Sequence, residues 1–108
     1  MSIPVALADL SSVVADHPWG YLVTVGDDER AHVLAVASDL RDGSFHTAAG
    51  RSTRANGALR SAVTMAFPHR DQGGYTLIVD GEIEIDDAEV RVRPTSAILH
   101  RPAIAPPG

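Results

Sequence analysis

Short runs of alternating apolar and polar residues, each ended by glycine, proline or acidic turn residues, dominate this chain and predict strands. The clearest run covers 75–86, where Tyr75, Leu77, Val79, Ile83 and Ile85 alternate with Thr76, Asp80, Glu82 and Glu84, giving one buried and one wet face. Gly81 interrupts it and predicts a bulge or bend. Upstream, Trp19 to Gly26 places Tyr21, Val23 and Val25 on one face, Gly26-Asp27-Asp28-Glu29 turns, and Ala31 to Ser38 returns as the second arm of a hairpin. Both faces of that arm are apolar enough to be expected mostly buried. Asp39 to Gly43 turns into a third strand, Ser44 to Ala48. Ala62 to Phe67 is a fourth, closed by Pro68 before a loop at His69–Gly74. Val90 to Arg93 is broken by Pro94, with a resumption at Ala97 to Leu99.

Two segments read as helices. Ser2 before Pro4 is a start signal, and Ile3, Leu7, Leu10 and Val14 recur at helical spacing until Asp16-His17-Pro18. A second short helix runs from about Thr53 to Arg60, with Gly57 costing about 1 kcal/mol relative to alanine. Six strands and two short helices make a mainly β, antiparallel six-stranded barrel, whose closure would hide strand edges. The expected organisation is one domain over residues 1–102 and a flexible proline-rich tail over 103–108.

The candidate chemistry gathers at Gly50-Arg51-Ser52-Thr53-Arg54-Ala55-Asn56, where a strand leads into a helix. A helix start leaves backbone N–H groups unpaired and presents the positive dipole end, so phosphate is a natural occupant. Ser52 or Thr53 can cap, Gly50 permits close approach, and Arg51 or Arg54 can add a charge-assisted contact. The bland alternative is a polar connector with its arginines in water.

Composition narrows the classes. The 108 residues suit one domain but enclose a sizeable ligand poorly, so a partner subunit is expected. A net charge of -5 with scattered arginines argues against nucleic acid. There are 0 Cys and no lysine, which excludes thiol and Schiff-base chemistry and agrees with a reducing compartment. No run is apolar enough to cross a bilayer, so the expectation is a cytoplasmic, membrane-independent protein, and the alanine, valine and arginine richness suggests a bacterial source.

The element order, with Phe45-His46-Thr47 leading through Gly50 to Ser52-Thr53-Arg54-Ala55-Asn56 and on to Ala62-Val63-Thr64-Met65, resembles the pyridoxamine 5'-phosphate oxidase-like FMN-binding split barrels, as a short, divergent member. Ala31-His32-Val33-Leu34-Ala35-Val36 resembles that family's strand along the isoalloxazine edge. The resemblance implies a split barrel and a homodimer holding FMN, a deazaflavin coenzyme, or less commonly haem or nothing. Cofactor contacts would come from Val33, Leu34, His46, Thr47, Ser52, Thr53, Arg54 and Asn56, with a small-molecule redox partner. The alternative is a non-enzymatic flavin or haem binder, or a cofactor-less interaction module. The chain lacks the basic second strand and C-terminal substrate residues of the vitamin B6 oxidases, so pyridoxamine phosphate oxidation is not expected.

Other residues have plainer readings. His46 can meet the flavin or be a satisfied strand residue. His32, His69 and His100 match no metal spacing. Asp80, Glu82 and Glu84 read as a solvated edge, Arg91 and Arg93 as solvent-facing, and Trp19 as core or dimer interface, with a lesser role covering a cofactor. No nucleophile elbow appears.

Overall fold

The computed structural model describes residues 2–104, and the tail expected at 103–108 lies mostly outside them. Eight antiparallel strands form one sheet: β1 (Ser2–Val5), β2 (Trp19–Val25), β3 (Ala31–Ala37), β4 (Leu40–Arg41), β5 (Ser44–Thr47), β6 (Ala62–Phe67), β7 (Thr76–Ile85) and β8 (Val90–His100). Helix α1 is a single turn, Leu10–Val13, between 3₁₀ turns at Leu7–Asp9 and Val14–Asp16, and α2 spans Arg51–Leu59. The sheet order is β3-β2-β6-β7-β8-β5-β4, with β1 also on β8.

The split-barrel class holds, with two more strands than the sequence pattern predicts. Ser2–Val5 is a strand rather than the start of a helix; Pro4 is tolerated because β1 is an edge, where a missing N–H costs no ladder bond. Leu40–Arg41 is a strand because Asp42 and Gly43 both take positive φ (52° and 80°), closing a two-residue hairpin in which Arg41 pairs with Ser44. The bulge expected at Gly81 is present: Asp80 pairs with Ser96 and Gly81 with Pro94, leaving Thr95 extra. Pro94 therefore bends β8 without breaking it.

Inward side chains of β2, β5, β6, β7 and β8 build the core around Leu22, Phe45, Met65, Phe67, Val79 and Val92, with Leu10 added from α1. Phe45 and Phe67 stack with ring centroids 5.1 Å apart. Helix α2 packs on β7 and β2, and Gly57 fits there because a Cβ would lie 3.0 Å from Ile83 Cγ2. Closure is not what protects β3. It is an edge strand, and of its residues only Val36 is buried, against the expectation of two buried faces.

The tightest backbone approach is at Gly20, where a Cβ would lie 2.3 Å from the Ala66 carbonyl oxygen and 2.6 Å from Phe67 Cδ1. Gly20→Ala is expected to destabilise the fold by about 1–3 kcal/mol through overpacking, measured as a lower thermal midpoint.

Candidate functional site

β5 delivers the chain to α2 through Ala48-Ala49-Gly50. Gly50, not Ser52 or Thr53, is the N-cap residue, and no side chain caps the helix. The N–H groups of Arg51, Ser52 and Thr53 have no acceptor one turn earlier, and no other described group bonds them. A Cβ built on Gly50 would meet nothing within 4 Å, so the cap position itself is open. Arg51 and Ser52 are exposed, Thr53 is half-buried, and the first turn carries no acidic residue. This arrangement fits an anionic group.

The neighbouring candidates are committed to the fold. Arg54 donates from Nε to the Ala49 carbonyl (3.1 Å), from Nη1 to that of Asp86 (2.5 Å) and from Nη2 to that of Asp87 (3.3 Å). It clamps the β7–β8 turn to the helix. Asn56 is buried and donates from Nδ2 to Thr24 Oγ1 at 3.1 Å, tying α2 to β2. His46 holds Glu89 Oε1 at 2.8 Å through Nδ1, and its Nε2 lies 3.3 Å from the Arg41 carbonyl. Thr47 donates to the Ala48 carbonyl at 3.1 Å.

The turn that Arg54 clamps is itself rigidified. Asp86 Oδ1 accepts from the backbone N–H of Glu89 (2.9 Å) and Ala88 (3.0 Å), and its other oxygen binds Arg91. The Glu89 N–H first, then that of Ala88 and the Arg91 guanidinium, hold the Asp86 carboxyl below the ordinary aspartate range. Arg91 thus faces carboxylates, Asp86 and Glu84, rather than solvent alone.

Val33 and Leu34 do not join the α2 start. Val33 pairs with Val23 on the sheet's outer face, whereas α2 packs on the inner one; Leu34, opposite buried Leu22, turns inward. The outer face is the feature that the strand alternation hinted at without showing. Trp19 (47% exposed), Tyr21 (37%) and Val33 (61%) stand on it, flanked by Ala35, Ala37 and Ala66. An open groove of about 270 Å³ continues this face along Val23, Val25, Ala62, Thr64, Asp80 and Glu82. Asp80 and Glu82 thus sit on a central strand rather than an edge, accepting from Thr64 (2.7 Å) and Ser61 (2.5 Å). Among the described residues no histidine–carboxylate group could hold a metal ion, and no helix is long and apolar enough to cross a membrane.

Because Arg54 acts through geometry, Arg54→Ala and Arg54→Lys are both expected to destabilise the chain, by about 1–3 kcal/mol for the alanine. Lysine cannot reach three carbonyls from one planar group. Urea denaturation checks this, and a fully stable lysine variant would show that charge alone suffices.

No protein-family model matches the chain. Two mycobacterial relatives, uncharacterized proteins Mb0449c of Mycobacterium bovis and MT0457 of Mycobacterium tuberculosis, are each 40% identical over 116 aligned positions, covering 92% of this chain and 82% of the relative. Among solved structures, an F420 reductase superposes with a TM-score of 0.64 at 19% identity, over 80% of this chain and 94% of that one. The FAD-binding protein of Mycobacterium smegmatis gives 0.65 at 20% identity, over 94% and 100%. A candidate pyridoxamine 5'-phosphate oxidase of Listeria innocua gives 0.67 at 13%, over 86% and 96%. These share the fold seen here, an antiparallel sheet with α2 laid across its inner face. Given its identity to the two mycobacterial proteins, the chain belongs to their family, and it has the split-barrel fold.

Proposed function

We propose that this chain is a flavin-binding split-barrel protein, an oxidoreductase that uses FMN or a deazaflavin coenzyme as a homodimer and acts on a small-molecule redox partner. The observation that carries this reading is the uncapped start of α2, where three backbone donors, Ser52 and Arg51 are uncommitted beside an open cap position at Gly50. Ser52, Thr53 and Arg51 would hold the cofactor's phosphate. Arg54 would position the helix start that meets it, and His46 would brace the adjoining strand. The fold neighbours include an F420 reductase and FAD-binding proteins, which makes a flavin-type ligand the natural class to test. When bound, the flavin supplies hydride or electron transfer, and the protein contributes binding, orientation and access.

Pyridoxamine phosphate oxidation stays outside this proposal. A second phosphate site would need a second basic cluster, and Arg70 and Arg91 are paired with Asp16 and with Asp86 and Glu84. One observation favours a cofactor-less module of the same fold instead: Arg54, Asn56 and His46 already have partners within the chain. Titration with FMN separates the readings. Saturable quenching of flavin fluorescence, weakened about tenfold or more by Arg51→Ala through loss of a charged hydrogen bond, is expected. No binding would favour the module, and binding indifferent to Arg51 would move the phosphate elsewhere.

The homodimer rests on the outer face, where exposed Trp19, Tyr21 and Val33 adjoin alanines in one apolar surface. Sedimentation at micromolar concentration is expected to give twice the chain mass, and Val33→Asp to shift it toward the monomer. A wild-type monomer would sink the assembly.

A further inference from the structure

The outer face of the sheet carries a projection and a hollow at opposite ends of one strand. Trp19 and Tyr21 project at the start of β2, edge to face, whereas Val23 and Val25 near its end line the open groove of about 270 Å³ together with Ala62, Thr64, Asp80 and Glu82. The four β2 residues share this face by the two-residue period. Ladder register extends the levels sideways: Tyr21 lies beside Ala66 and Val23 beside Thr64, which pairs with Asp80, and Ala62 lies opposite Glu82. Buried Leu22 marks the midpoint, with Trp19 and Val25 three residues to either side of it and Tyr21 and Val23 one. A two-fold axis running across the strands at that level, between two stacked sheets, lays β2 of one copy antiparallel over β2 of the other. Trp19 of each copy then stands over Val25 of its partner, the reciprocity that an isologous contact requires.

We propose that Trp19 of each subunit docks into the groove of the other. The docking rests on the homodimer proposed above and specifies how its two faces engage. Two features of the groove suit an indole. Val23, Val25 and Ala62 offer small apolar side chains against which a large ring can be buried. The carboxylates supply what the ring's polar atom needs, because an indole N–H only donates and seeks an acceptor once it leaves water. Asp80 Oδ1 accepts from Thr64 at 2.7 Å and Glu82 Oε2 from Ser61 at 2.5 Å, and each carboxylate has a second oxygen able to accept. A phosphate-bearing ligand would meet like charge here. A neutral donor on an apolar body does not, and the outer face of a second copy brings one to the right level.

The chain has 1 Trp, so intrinsic fluorescence reads the surroundings of Trp19 directly. At a concentration where sedimentation gives a dimer, emission is expected at shorter wavelength than in Val33→Asp, with weaker quenching by acrylamide. A dimer whose indole is quenched as readily as that of Val33→Asp would overturn the docking and leave the homodimer standing; a monomer would remove both. Mixed variants separate the two halves of the contact. Ala62→Phe fills the groove but keeps the indole, and Trp19→Ala keeps the groove but has no indole. Each alone is expected to weaken dimerisation, by about tenfold or more for Trp19→Ala, as for an aromatic anchor at an interface. With Trp19→Ala in excess, the indole of Ala62→Phe is expected to shift to shorter wavelength and become protected, because the other subunit supplies an open groove. No protection on mixing would refute the proposal. Should Ala62→Phe not fold, the wild-type comparison decides alone.

Discussion

The sheet depends on how β7 and β8 pair. Their ladder runs from Thr76–His100 to Ile85–Val90 and is offset by the one extra residue, Thr95. That offset lets a single long strand serve two neighbours: residues 90–92 of β8 also pair with β5, and residues 97–100 also pair with β1. A bulge adds bend and twist, and Gly81 allows it because a Cβ there would lie 2.6 Å from the Arg93 carbonyl oxygen. The curl brings Ile83 and Val92 onto the same inner core as Leu22 and Phe67.

Helix α2 completes the inner side, yet its sequence is too polar to be held by apolar burial alone. Only Asn56 and Gly57 are buried in it. Three polar ties make up the difference: Arg54 to the β7–β8 turn, Asn56 to Thr24, and Arg60 Nη1 to the Gly26 carbonyl at 2.7 Å. The ties fix where the helix begins, and so where its unpaired N–H groups point. Arg54 positions and Arg51 stays exposed because the carbonyls of Ala49, Asp86 and Asp87 lie within reach of Arg54.

The two faces of the sheet have different demands. The inner one is filled by large side chains, whereas the outer one presents Trp19 and Tyr21, in edge-to-face contact at 5.3 Å, among alanines. A single chain leaves that surface wet, and β3 adds an edge with free backbone groups.

Strand content, the β2–β3 hairpin, the bulge at Gly81, the loop after Pro68 and the strand-to-helix stretch at Gly50 were all legible in the sequence. Alternation, turn residues and glycine act over a few neighbours, and a linear pattern carries such local rules. What the pattern misjudged depended on partners far along the chain. Ser2–Val5 became a strand because residues 97–100 of β8 offered a ladder. Ala31–Ala37 is apolar yet mostly exposed, because β3 lies at the edge of the sheet. The partners of Arg54 and His46 within the fold, the carbonyls of Asp86 and Asp87 and the Glu89 carboxylate, arrive from more than thirty residues away, where no local pattern reaches. Sequence alone determined which side chains could meet an anion; only the tertiary structure decided that Arg51 and Ser52 remain uncommitted, because hydrogen-bonding capacity is consumed by whichever groups folding brings within reach.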